Sequence, residues 1–368
     1  MKKTTVLLFC LAACLTSLLS GVGLPSAYAE EARDITVKVP KGSGMFSINL
    51  TTRIFTPPGD GPFPLVVINH GKAPGNPAFQ KDRPMYGQAM EFVKRGYAVM
   101  VPTRQGFGSS GGSYIETHCD IESSGQVQAD DVEAALNYAR TLPYIDSHTI
   151  VVMGISQGGL TTMALGTRNL PGVVGLVNFA GGLRVESCAS WQHAEVAAFG
   201  SYGAKVKVPS LWMYGDNDSY FPPPIPQEAY AAYTAAGGHA LLIDFGTFGS
   251  DAHEMFGVYD GKPIWLPQVE KFFISLGLPF DVKYELRKHP QGQNPEDPEA
   301  VPNLNQAGIE GYRKFLWQSP PRAFAMSANG HWGYARGPKA QQEALATCGE
   351  KGGQGCELYV VDFDLIKH

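Results

Sequence analysis

The chain is poor in charge. Only 17% of its 368 residues are Asp, Glu, Lys or Arg, against 44% hydrophobic. Its 29 basic residues form no cluster that could follow a nucleic-acid backbone, which excludes nucleic acid as an expected partner. Metal-ligand spacings are missing too: there is no Cys-x-x-Cys and no His-x-x-x-His. His253-Glu254 opens like a zinc-binding helix, but Gly257 stands where the second histidine belongs, so no metal is expected. After Leu24 no apolar run is long enough to span a bilayer, and no internal repeat is found.

The first 29 residues have the build of an export signal. Lys2 and Lys3 precede an apolar core from Val6 to Leu19, and Ala27-Tyr28-Ala29 offers a cleavage site before Glu30. Two rivals are lipid attachment at Cys14, within Leu11-Ala12-Ala13-Cys14, and an uncleaved anchor over Val6 to Leu24. Export to the periplasm or medium is the reading adopted. Cleavage removes two lysines and no acid, taking the formal net charge from −5 to −7. Four of the six cysteines then remain, an even number in an exported chain, which favours disulfides. The expected pairs are Cys119–Cys188, in loops following strands at one sheet edge, and Cys348–Cys356, which closes a short loop.

From Asp34 to about Leu286 short apolar runs alternate with helical stretches. Phe63–Asn69 and Tyr97–Pro102 are continuous apolar runs, as expected of strands covered on both faces. A helix is predicted over Met85–Arg95 and another over Val127–Leu142. Strands follow at Thr149–Met153, Val173–Phe179, Ser210–Tyr214 and Ala240–Phe245, and a helix near Pro267–Leu276. Such alternation implies a mostly parallel sheet flanked by helices. Residues 287–308, rich in Pro, Gln, Asn and Asp, read as a linker. Residues 309–368 read as a small α+β domain with a helix at Ile309–Leu316, a hairpin turning at Asn329-Gly330, a helix at Pro338–Thr347 and a strand at Leu358–Phe363.

Gly154-Ile155-Ser156-Gln157-Gly158 lies between the Thr149 strand and a helix-forming stretch. That context makes Ser156 a nucleophile candidate on a sharp strand-to-helix turn. A second match, Gly108-Ser109-Ser110-Gly111-Gly112, has no strand and helix around it, so Ser110 is a loop residue. A serine hydroxyl needs a base, and the base a carboxylate to orient it. Asp218, in Gly215-Asp216-Asn217-Asp218, and His253 follow in the order Ser, Asp, His. Upstream, His70 and Gly71 form a turn at the end of the Phe63 strand. The N–H of Lys72, with that of Gln157, could hold an oxyanion. The remaining histidines are expected to be surface or structural.

Gly106-Phe107-Gly108-Ser109-Ser110-Gly111 also fits a dinucleotide fingerprint, but no helix opens directly after it, and no cofactor is expected. Phe107, Tyr114, Trp191, Tyr220 and Phe221 fall in loops at the same edge and could line an acyl pocket.

With His70-Gly71, Arg104-Gln105-Gly106-Phe107-Gly108, the Ser156 turn, Gly215-x-x-Asp218 and the His253 turn in place, the catalytic domain, residues 30–286, resembles the α/β-hydrolase superfamily over roughly Asp34 to Leu286. Within it, the chain is similar to the dienelactone-hydrolase-like branch. Dienelactone hydrolases proper carry cysteine where this chain has Ser156. The resemblance implies hydrolysis of an ester-like bond in a small molecule, without implying the dienelactone itself. The alternatives are a peptidase or amidase of the same fold, and a binding protein on a hydrolase scaffold. The C-terminal unit, which could meet an envelope or surface partner, is expected to contribute little to the chemistry, since every site candidate precedes the linker.

Overall fold

Alternate side chains of a central strand leave in opposite directions, and the Phe63–Asn69 run shows why it needs no polar positions. Leu65 and Val67 enter one hydrophobic core, Val66 and Ile68 another, so both faces of the sheet are covered. Each fully buried Val or Leu contributes about 1.5–3 kcal/mol relative to exposure. The computed structural model describes residues 32–284 and 296–366. The export segment 1–29, with the Cys14 and anchor alternatives, and the 287–295 part of the linker lie outside the described residues.

The strands are β1 (Arg33–Lys41), β2 (Ile48–Thr56), β3 (Phe63–Asn69), β4 (Ala98–Pro102), β5 (Ile145–Ile155), β6 (Val173–Phe179), β7 (Ser210–Tyr214) and β8 (Ala240–Asp244). They form one sheet in the order β1-β2-β4-β3-β5-β6-β7-β8. The pairs β1–β2 and β2–β4 are antiparallel and the rest are parallel. Helix α1 (Tyr86–Val93) joins β3 to β4, and α2 (Ile121–Ala139) then carries the chain back past β3 to β5. Strand order therefore reverses between β3 and β5, whose ends pair Asn69 with Gly154. A crevice outside the carboxyl ends of strands at such a reversal is where open α/β sheets bind ligands.

Helices α2, α3 (Gln157–Gly166), α4 (Trp191–Gly203) and α5 (Ile225–Ala235) pack on one face, α1 and α6 (Lys262–Ser275) on the other. Helix α2 starts six residues before the predicted Val127, because the Asp120 carboxylate accepts the N–H of Ser123 and caps it. The polar run Glu122–Ser124, which carries no apolar periodicity, forms its first turn. Trp191 likewise opens a helix instead of lying in a loop.

The small sheet is antiparallel, ordered β10-β9-β11-β12. Its strands are β9 (Arg322–Met326), β10 (Trp332–Arg336), β11 (Glu357–Val361) and β12 (Asp364–Leu365). Helix α7 (Gln306–Leu316) packs Tyr312 and Phe315 against Phe324, while α8 (Ala340–Glu350) packs Ala344 and Cys348 against Ala323 and Ala325, on the other face. The hairpin turn is longer than the expected two residues. The N–H of Ser327 donates to His331 O, and Gly330, at φ 83°, closes a tighter turn onto Ser327 O. Disulfides join Cys119 to Cys188 and Cys348 to Cys356.

Residues 31–368 form one compact unit. The α1 glycine Gly87 sits against Trp317, where an added Cβ would come within 2.1 Å of the indole. Arg322 lies 5.8 Å above the Tyr86 ring and donates to the carbonyls of Phe315, Leu316 and Gln318. No helix among the described residues is long and apolar enough to cross a membrane.

Candidate active site

Ser156 joins β5 to α3 in a backbone conformation that a non-glycine residue rarely adopts, φ 57° and ψ −129°. Its N–H is held by Phe179 O, and its carbonyl accepts from Gly159, Leu160 and Gly182. The neighbouring glycines are needed for close approach. A Cβ on Gly158 would lie 2.2 Å from Asn69 O, and one on Gly154 would lie 2.1 Å from Gly158 O. Ser156 is partly exposed, and its hydroxyl has no hydrogen-bond partner among the described residues. The Ser110 hydroxyl, by contrast, donates to Thr103 O and accepts the N–H of Thr51, stitching a loop to β2.

The turn after β3 closes over this elbow. Gly71 is so near that a Cβ there would be 3.1 Å from the Ser156 Cβ. Lys72 follows, and among the described residues neither its N–H nor that of Gln157, the first residue of α3, has an acceptor. Two free donors thus border the serine. The Lys72 ammonium itself lies over the Tyr114 ring, 5.7 Å from its centroid.

His70 is buried, and both of its ring nitrogens are engaged. The Arg104 N–H donates to its Nε2 at 3.1 Å, so Nδ1 carries the proton and donates to Gly71 O at 2.8 Å. Burial and the Arg104 charge hold its pKa well below the usual value, leaving the ring neutral. Arg104 is itself fully buried. It donates to His70 O at 2.6 Å, to Gln128 at 3.0 Å and to the Gln157 side chain at 3.1 Å. Burial lowers it to about 10, with Asp131 opposing, and it remains charged at neutral pH. The other end of the Gln157 amide donates to Tyr114 Oη, which donates to Glu116. One chain of hydrogen bonds therefore fixes both the turn at His70 and the start of α3. The sequence held Arg104 only as part of a motif. An arginine at the end of a buried strand is the signal that marks it.

Asp218 and His253 come from the turns after β7 and β8. The Asp218 side chain is fully buried; its oxygens lie 3.0 and 3.1 Å from His253 Nδ1, and Oδ1 also accepts the N–H groups of Tyr220 and Phe221. Asp216 points to solvent. Two residues unrecognised in the sequence clasp these turns together. Asp251 accepts the N–H groups of His253 and Ser219, both at 3.0 Å, and Asn217 exchanges hydrogen bonds with Phe248 and Gly249. Burial alone would raise the Asp251 pKa; hydrogen bonds from Ser219 and the His253 N–H outweigh it and hold it low. An Asp two residues before His253 is a legible Asx turn.

The five aromatic pocket candidates divide. Tyr220 lies against the His253 ring, centroids 4.5 Å apart, and Tyr114 stands beside Lys72. Phe107 and Phe221 are 3% and 1% exposed, so they support the site from beneath, Phe107 against His70 and Phe221 between His253 and Trp191. The glycine-rich loop holds no phosphate geometry; its Ser109 N–H is taken by the Asp82 carboxylate. No group of His, Cys, Asp or Glu among the described residues could hold a metal ion.

The C-terminal unit does not stand apart from this edge, as its position in the chain led one to expect. Trp317, Ser319 and Arg336 share a cleft of about 470 Å³ with Ala73, Ile155 and Gly257.

Residues 44–185 match the family described as X-Pro dipeptidyl-peptidase (S15 family). The matched stretch contains His70, Arg104 and Ser156 and stops before Asp218 and His253. Solved structures of similar fold include a puromycin-hydrolyzing peptidase from Mycobacterium tuberculosis, 18% identical with a TM-score of 0.52 over 72% of this chain and 42% of that one. Another is Porphyromonas gingivalis dipeptidyl peptidase 4, 16% identical, TM-score 0.50, over 67% of this chain and 36% of that one. The Pyrococcus furiosus esterase Pf2001 is 15% identical, TM-score 0.48, over 66% of this chain and 92% of its own. The chain thus spans less than half the length of the two peptidases. No curated protein matches it. Likeness at this level of identity is likeness of fold, and together with the sheet order it shows that the chain has the α/β-hydrolase fold.

Proposed function

We propose that the protein is an exported serine hydrolase that cleaves a carboxylic ester through an acyl-enzyme. The observation that carries this reading is the left-handed Ser156 elbow, with an unengaged hydroxyl, beside two free backbone donors and in the same chain as a histidine held by a buried carboxylate. Ser156 Oγ attacks the carbonyl carbon as His253 Nε2 takes its proton. Asp218 keeps the His253 proton on Nδ1 and stabilises the imidazolium that forms. The oxyanion is received by the N–H groups of Lys72 and Gln157, which are already aimed and cost no reorganisation. His253 returns its proton to the leaving alkoxide, and water then repeats the steps in reverse to free the acid. Among the described residues the Ser156 hydroxyl makes no hydrogen bond to His253, and catalytic contacts of this kind often tighten only with substrate bound. The two disulfides support an oxidising destination, in keeping with the export signal.

A peptidase is the second reading, favoured by the match over residues 44–185. A fluorophosphonate probe tests the nucleophile. Ser156→Ala is expected to abolish labelling, and Ser110→Ala to retain it; full labelling of Ser156→Ala refutes the mechanism. Hydrolysis of p-nitrophenyl esters with no release of p-nitroaniline from an X-Pro anilide supports the ester reading, and the reverse supports the peptidase.

A further inference from the structure

A cleft of about 470 Å³ lies beside the elbow and is not needed to activate Ser156. It is lined by Ile155, immediately before Ser156, by Ala73, immediately after Lys72, and by Gly257, in the short helical turn that contains His253. Trp317, Ser319 and Arg336 of the C-terminal unit line it too.

Its charges are one-sided. Lys81, Arg83 and Arg336 border it, and among the described residues none of the three has a carboxylate within ion-pair distance. The one acid in the lining, Asp82, is already engaged, accepting the N–H of Ser109 and its hydroxyl. Three such cations in a chain of net charge −5 are not an average surface. Besides the apolar Met85 and Trp317, the polar Gln80, Gln88 and Ser319 line the cleft. A cleft beside the elbow that carries unpaired cations on a mixed wall suits an acyl chain that bears an anion.

We infer that this cleft is a subsite for a carboxylate at the far end of the acyl chain, and that the substrate is a half-ester of a dicarboxylic acid. The inference rests on Ser156 as nucleophile and adds the chemical class of its substrate. It gives the C-terminal unit a part in specificity, through Arg336. The same cations disfavour a peptide whose free amino terminus would enter the cleft as an ammonium.

The test compares p-nitrophenyl half-esters of adipic, suberic and sebacic acids with the corresponding methyl-capped diesters on the full-length protein. The readout is the ratio of kcat/KM for acid over methyl ester, which is taken on one sample, so partial misfolding of a variant cancels. Each partly screened contact contributes up to about fivefold, so two or three give a ratio of about ten or more at the best chain length. Added salt lowers this ratio. Arg336→Glu and the double variant Lys81→Glu/Arg83→Glu are each expected to bring it to one or below. A wild-type ratio of one or less, or a high ratio that neither variant changes, overturns the subsite while leaving the hydrolase reading intact. Absence of both ester hydrolysis and probe labelling overturns the hydrolase reading, and the subsite with it.

Discussion

Glu195 lies on α4 and is fully buried. One of its oxygens accepts the N–H of Leu183 at 2.9 Å, and among the described residues no cation lies within ion-pair distance of it. Burial raises its pKa to about 8, and the nearby Asp218 charge pushes the same way. In the unfolded chain a Glu titrates near pH ~4.3. Between these values the folded protein keeps a proton that the unfolded chain has released. Unfolding then releases a proton, so stability is fully present below about pH 4 and falls as pH rises toward 8, by roughly 1 kcal/mol per unit. Across the window the loss amounts to a few kcal/mol, on the order of 3–5. Glu195→Gln keeps the acceptor for Leu183 but cannot ionise. Urea unfolding of both proteins at pH 5, 6, 7 and 8, disulfides intact, gives the difference in stability at each pH. That difference is expected to grow in favour of the variant as pH rises. A difference that stays constant within about 1 kcal/mol from pH 5 to 8 refutes the argument, because a neutral buried carboxyl must produce the slope.

Asp218→Asn is expected to lower kcat by about 10⁴-fold, as in the Ser-His-Asp template, with Asp216→Asn near wild type; initial rates on a p-nitrophenyl ester decide, and the reverse ranking would move the acid to Asp216. Replacing Cys348 and Cys356 by serine opens a loop with a sequence separation of 8. Loss of its closure entropy is expected to cost about 2–3 kcal/mol, read by thermal melting; an unchanged Tm would show that α8 and β11 hold together without it.

The succession of strands along the chain, the elbow and both downstream turns are legible in the sequence because each depends on local signals: apolar runs, glycines at fixed offsets, and acidic or histidine residues just past a strand. The first turn of α2 lies before the predicted Val127 because polar side chains there carry no apolar periodicity, and only the Asp120 cap marks the start. The burial of Phe107 and Phe221 was illegible for another reason. An aromatic in an active-edge loop can face ligand or protein, and only the packing against His70 and His253 chooses. The contribution of Trp317 and Arg336 was hidden further still, since no local pattern reports which part of a sheet a distant unit will lean on.

Arg104 has a consequence for how the protein comes to exist. Its charge is out of water entirely, and its acceptors belong to the end of β3, to α2 and to α3. Burying that guanidinium before all three are in place would strand a cation in an apolar interior, which is prohibitive, so no partly assembled version of this corner is stable. The turn that offers Lys72 and the helix that offers Gln157 are therefore acquired in a single cooperative event. A molecule that has completed the centre of its sheet has its two donors aligned, and one that has not has neither.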